Sequence, residues 1–210
     1  MPSRGRPRSF DRDAALRQAM ELFWAKGYAG TSLADLTAAM GINSPSLYAA
    51  FGCKERLFRE AVELYRETEG LGAWKALDAC PTARDAVDWI LTQTAEFAAR
   101  PGKPTGCLVV LGAVPSGGVV SDAGEGPDDP VSRDLCDRRR DNLEALARRL
   151  DRGVADGDLP PGVDSRAVAT FYLTVQQGMS LQARDGATHD TLLGVARSAM
   201  AAWPALTGQK

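Results

Sequence analysis

The chain has one histidine, His189, and four cysteines spread over its 210 residues. Cys53, Cys80, Cys107 and Cys136 lie far apart in sequence, in neither a zinc spacing nor the dense framework of a small secreted domain. A histidine-based metal site or proton relay within one chain has little to work with, and no metal or cofactor is expected. No apolar run is long enough to cross a bilayer; the longest, Cys107 to Val114, is far too short. The basic opening MPSRGRPRSFDRD precedes no apolar stretch, so it does not read as a secretory leader. No phosphate-binding glycine loop is present, since Gly102-Lys103-Pro104-Thr105 lacks the upstream glycine. Nucleophile elbow, HExxH and paired-carboxylate patterns are missing too. These gaps point away from an enzyme and from a membrane protein, toward a cytoplasmic one.

What remains is ordinary globular material, 44% apolar, with a formal net charge of −2. The charge is unevenly placed. Residues 1–60 hold nine lysines and arginines against six acids, and the remainder holds sixteen against twenty-one. A mildly basic head on an acidic body fits a DNA-reading module joined to a part that stays off DNA.

Apolar residues recur with helical period throughout, no segment alternates convincingly with period two, and no internal repeat is visible. An all-α fold follows. The first helix runs from Asp11 to about Lys26, with Ala15, Leu16, Ala19, Leu22 and Phe23 inward and Gly27 as its stop. Ser32 with Asp35 resembles a capping box opening a second helix, which ends at Gly41. Asn43-Ser44-Pro45 starts a short third helix that Gly52 closes. A fourth runs to about Glu69. Further helices are expected over 83–100, 105–114, 131–156, 164–184 and 188–203, with a Gly/Pro/Ser/Asp-rich loop at 115–130.

The stretch from Thr31 to Gly52 reads as a helix-turn-helix. Gly41 provides the positive-φ corner, Ile42 fills the angle, and Leu36 faces Leu47 across it. The second helix begins with small polar residues and can enter a major groove. Gly41-Ile42, Leu47-Tyr48, Phe51 and Lys54-Glu55-Arg56-Leu57-Phe58 stand at fixed spacings that resemble the N-terminal domain of the TetR family of transcriptional regulators. Thr37 departs from the alanine usual there.

The resemblance implies a repressor that binds a palindromic double-stranded DNA operator as a homodimer and is released by a small-molecule effector. It divides the chain into a basic arm (1–9), a helix-turn-helix domain (10–52), a connecting helix (53–70) and a ligand-binding and dimerisation domain (71–210). Ser44, Pro45 and Ser46 would meet base edges or phosphate, Tyr48 a phosphate through its hydroxyl, Thr31 and Ser32 a phosphate at a helix start, and Lys54 the DNA backbone. Arg4, Arg6 and Arg8 resemble a minor-groove hook; a basic tail adding only salt-dependent affinity is the alternative, and both stay open.

In the body, the last two helices are the expected dimer interface, through Val168, Tyr172, Val175, Met179, Leu192, Ala196 and Met200. The Thr105–Ala113 and Gln176–Gly186 stretches resemble a subgroup that includes copper- and drug-responsive members. Ligand candidates are Trp74, Trp89, Phe97, Cys107, Leu111, Phe171 and Gln176. The fourth helix would transmit occupancy by swinging. Alternatives are an activator, or a thiol- or metal-responsive regulator using Cys53, which precedes Lys54 at a helix start, or Cys107.

Overall fold

A computed structural model describes residues 10–70, 72–113 and 129–209, and all regular structure within them is helical. Helix α1 (Arg12–Lys26) starts where the Asp11 carboxylate accepts from the Asp13 and Ala14 amides, and it stops at Gly27, φ +71°. Its buried stripe, Ala15, Ala19, Met20, Phe23 and Trp24, faces α4 (Lys54–Tyr65), where Phe58 meets Phe23 edge-on with ring centroids 5.0 Å apart. Between them lie α2 (Leu33–Met40) and α3 (Ser44–Phe51), whose Leu36, Leu47 and Phe51 are fully buried in the same core. The head is thus four helices around a cluster of large aromatic and aliphatic side chains.

After Tyr65 the backbone widens into a π-helical turn, Arg66–Gly70, which the periodicity did not announce. The body follows: α5 (Gly72–Lys75), a 3-10 turn (Leu77–Ala79), α6 (Ala83–Ala98), α7 (Leu108–Leu111), α8 (Pro130–Ala155), α9 (Ser165–Arg184), α10 (His189–Ala201) and α11 (Trp203–Thr207). Helix α6 packs on α9 and α10, and α8 on α9. Leu91, Leu146, Leu150, Tyr172, Leu192 and Trp203 fill the space between them. Arg149 is buried within this body; its guanidinium donates to the carbonyls of Leu77 (3.1 Å) and Cys80 (3.0 Å), so the cation is satisfied by backbone rather than by an acid.

One expectation needs correction. The apolar stretch 105–114 is not one helix. Gly106, at φ +75°, donates its N–H to Ala98 O (2.8 Å), and helix begins only at Leu108. The anticipated loop at 115–130 lies outside the described residues, except for its last two, which start α8.

The expected boundary between head and body is also crossed. Leu108 and Val109 of α7, with Val131 and Leu135 of α8, belong to the same core as Phe23 and Phe58. Trp24 Nε1 donates to Gly106 O (2.9 Å), and the Tyr28 amide to Gly112 O (2.7 Å). Arg184, at the end of α9, donates to the carbonyls of Trp24 (2.8 Å), Ala25 (2.9 Å) and Thr105 (2.9 and 3.1 Å). Trp24 and Ala25 lie in the last turn of α1, where carbonyls have no partner within the helix and the local dipole favours a cation. The body therefore caps the first helix of the head.

Candidate nucleic-acid interface and effector cavity

The reader is built by caps. Ser32 Oγ accepts from the Asp35 amide (3.0 Å) while the Asp35 carboxylate accepts from the Ser32 amide (3.0 Å), the reciprocal box the sequence suggested. Those bonds, that of the Ser32 amide foremost, pull the Asp35 pKa down to about 2. Helix α2 ends at Gly41 in the left-handed region, φ +64° and ψ 30°, with nothing near a Cβ position, so conformation rather than space calls for glycine there. Two residues later Asn43 caps α3 through the Ser46 amide (2.9 Å), and Pro45 sits in the first turn. Leu47 and Phe51 point into the core, so Ser44, Pro45 and Tyr48 point out; Tyr48 is 46% exposed, high for so large a ring. Helix α3 thus offers an outward face of small polar groups and one phenol, sized for a groove.

The other residues assigned to DNA fare unevenly. Ser46 is half-buried beside Asn43. Lys54 is half-buried, its ammonium 4.2 Å from the centre of the Tyr28 ring, and desolvation lowers its pKa. Thr31 is corrected: it is 1% exposed and its hydroxyl donates to Gly27 O (2.6 Å), so it is a core residue closing the α1–α2 turn. Ser32 is exposed, but its hydroxyl is already bonded to Asp35, whose negative charge answers that helix start. Arg4, Arg6 and Arg8 lie outside the described residues. Arg56, two residues after Lys54, escaped the sequence reading; its side chain is 71% exposed beside Gly52, loosely paired with Glu60 at 3.6 Å. Cys53 caps α4 by accepting from the Arg56 amide (3.4 Å), which gives the thiol a structural task.

A cavity lies where the π-helical turn, α5, α6, α7 and α9 meet. One lobe, about 420 Å³ with its mouth, is walled by Tyr65, Trp74, Phe97, Cys107 and Gln176 among others. A second, about 410 Å³, shares Tyr65, Trp74, Cys107 and Gln176 and reaches Arg138. The structure thus gathers four of the seven ligand candidates. Trp89 and Phe171 are corrected: they are 37% and 38% exposed on the outer faces of α6 and α9. Leu111 packs over Gly106 instead of lining either lobe. Among the described residues no three His, Cys, Asp or Glu side chains are gathered as a metal ligand set.

The expected dimer residues also need correction. Val168, Tyr172, Met179, Leu192, Ala196 and Met200 are at most 6% exposed within one chain, so they are its core; only Val175 is part-exposed. The outward stripe of α9 is instead Ala167, Thr170, Phe171, Thr174, Gly178 and Leu181, and Leu181 is 50% exposed.

The order of these parts is shared with known proteins. The model of the bacterial regulatory proteins of the tetR family matches residues 15–61, from the buried face of α1 to the middle of α4. The repressor ComR of Escherichia coli is 34% identical over 206 residues, covering 97% of this chain and 94% of that one. The chain belongs to the TetR family. BdcR, a second E. coli repressor, is 31% identical over 93% of this chain and 90% of its own length. A cysteine mutant of the TetR family regulator CifR, solved in complex with 26-bp double-strand operator DNA, is 44% identical, with TM-score 0.84 over 95% of this chain and all of that one. Like its family, this TetR protein is a DNA-binding transcriptional regulator with a helix-turn-helix head and an all-helical body, and family members are dimers.

Proposed function

We propose that two copies of this chain bind a palindromic operator, repress the adjacent promoter, and let go when a small molecule enters the cavity. The observation that carries the reading is the capped α2–Gly41–α3 unit with Ser44, Pro45 and Tyr48 outward, in a chain that follows an operator-bound relative along 95% of its length. Each copy brings one α3, so a symmetric dimer reads two half-sites about 34–36 Å apart, one turn of DNA. Such a regulator works in the cytoplasm, where the DNA is.

Ser44, Pro45 and Ser46 supply the groove contacts, Tyr48 a phosphate contact, and Lys54 and Arg56 backbone charge; Thr31 supports the turn from inside. The outward stripe of α9, with Phe171 and Leu181, supplies the partner-facing surface in place of the buried residues first assigned to it. Release runs through the elements that line the cavity and also hold the head: the end of α4, whose Tyr65 forms a wall, and Gly106–Cys107, whose neighbouring carbonyls grip Trp24 and Arg184.

The test is fluorescence anisotropy on the intergenic duplex beside the chain's own gene, with a scrambled duplex as control. Wild type is expected to prefer the intergenic DNA at least a hundredfold. Tyr48→Ala should lose about tenfold with no change in melting temperature. In vitro transcription then shows the sign, where increased transcript on adding protein would overturn repression. A monomeric protein that binds both duplexes equally at low salt would overturn the whole reading.

A further inference from the structure

We infer that the cavity takes a small, uncharged organic molecule carrying a hydrogen-bonding oxygen, and that the carboxamide of Gln176 recognises that oxygen. The inference rests on the reading of this cavity as the effector site and adds what the effector is made of.

Gln176 is 8% exposed, and its side-chain amide makes no hydrogen bond to any described residue while keeping contact with the space of the cavity; its main-chain carbonyl accepts from the Ser180 hydroxyl. A carboxamide without a protein partner has its hydrogen bonds to give to whatever occupies the space it faces. This one lines both lobes of the cavity. It brings two N–H donors and a carbonyl acceptor to a space lined by the rings of Trp74, Phe97 and Tyr65 and by the polar side chains of Gln93, Thr94 and Asn142. The Tyr65 hydroxyl is buried, and burial pushes its pKa up, so it stays a neutral phenol.

Each formal charge on the walls has an ion-pair partner, although the cations outnumber the acids. Glu69 is paired with Arg100 and with Lys103 (3.2 Å). Arg66 and Arg138 both pair with Glu63, Arg66 at 3.3 Å. A cationic guest would find Glu69 already paired twice, and an anionic one would have to compete with Glu63 for Arg66 and Arg138, so either would be desolvated for little return. One group argues otherwise: Arg100 Nε is buried without a partner. Arg100 lines neither lobe, and its guanidinium is already bound to Glu69. A carboxylate guest is therefore the direct competitor to measure. Size limits the guest as well: the enclosed room in the two lobes is only about 60 and 30 Å³, so only a small molecule fits.

The experiment titrates full-length protein calorimetrically with toluene, benzyl alcohol, benzamide, benzoate and benzylammonium, which share a ring and differ in the polar group. Wild type should bind benzyl alcohol and benzamide about tenfold tighter than toluene, as one added hydrogen bond to a waiting partner predicts. Benzoate and benzylammonium should bind at least tenfold weaker than benzamide. In Gln176→Leu, and in the longer Gln176→Met should the first variant fold poorly, the advantage over toluene should shrink to about twofold. Benzoate or benzylammonium matching benzamide overturns the inference. So does an unchanged advantage in both variants, or no binding by any neutral probe at millimolar concentration. Operator anisotropy separates this from the reading beneath it. Benzamide bound as expected without release of DNA removes the effector role and leaves the chemistry of the cavity standing. DNA bound normally with no neutral probe accepted removes the present inference alone.

Discussion

Replacing Arg184 tests whether the body holds the head through α1. Its guanidinium makes four N–H···O contacts to three carbonyls, at 2.8–3.1 Å. A hydrogen bond from a charged donor contributes about 1.5–3 kcal/mol net. The site is only half-buried, so water re-satisfies part of what Arg184→Met exposes. Releasing a partly desolvated cation gives some energy back as well; desolvation lowers this arginine's pKa. The expected loss is therefore about 2–4 kcal/mol rather than the sum of four bonds. Arg184→Lys keeps the charge at the α1 C-terminus but not the fork, and should fall between the two. Urea unfolding at fixed protein concentration reads this as a midpoint shift of about 1–2 M, for a slope of about 2 kcal/mol/M. Hydrogen exchange should also quicken at the Tyr28 amide, which is bonded to Gly112 O beside this clamp. If Arg184→Met unfolds within 0.5 kcal/mol of wild type and Tyr28 exchange is unchanged, the clamp contributes nothing and the argument that it couples body to reader is wrong.

Gly106→Ala should be severe, costing about 2–4 kcal/mol in urea, because a Cβ there lies 2.6 Å from Ser180 O and 2.6 Å from Leu111 Cδ1 on a backbone at φ +75°. Asp35 titrates near pH 2 in the fold, below its ordinary 3.8. The contribution of its carboxylate is whole above the unfolded pKa and is lost as pH falls from about 4 toward 2. Asp35→Asn should therefore flatten the acid limb of a stability-versus-pH curve, and an identical limb would reject the capping argument. Neutralising Arg4, Arg6 and Arg8 should flatten the slope of log affinity against log salt by about 0.9 for each arginine that meets a phosphate. A lost preference for A·T flanks in the same variant would select the minor-groove hook over the basic tail.

Much of this was legible in the chain because caps and stops are local. Asp11, Ser32, Asn43 and Gly41 act within one turn of themselves, and each does what its residue type suggested. Inward stripes were readable for the same reason: period 3.6 brings Ala15, Ala19 and Phe23 to one side of α1. What a stripe faces is not local. Tyr172 and Leu192 satisfy the pattern of a dimer seam and of an internal core alike, and the fold uses them as core. Trp89 and Phe171 attracted a ligand assignment by size, although Val87 and Ile90 on one helix and Tyr172 on the other show which faces turn inward. Thr31 looked like a helix-start hydroxyl; its partner, Gly27 O, becomes visible only once the turn has closed. The π-helical turn after Tyr65 has no residue signature of its own, so the wall it gives the cavity came from the structure alone.

Helix α8 has a consequence for anyone who would recombine these proteins. It is 26 residues long, roughly 39 Å at 1.5 Å per residue, and it begins in the aromatic core of the head and ends in the core of the body. A chimera spliced after Gly70 would take four helices of a reader and leave behind Leu108, Val109, Val131 and Leu135, which complete its interior. Swapping operator preference between relatives should therefore succeed when those four positions travel with the graft, and should yield a loosened, poorly discriminating reader when they stay with the host.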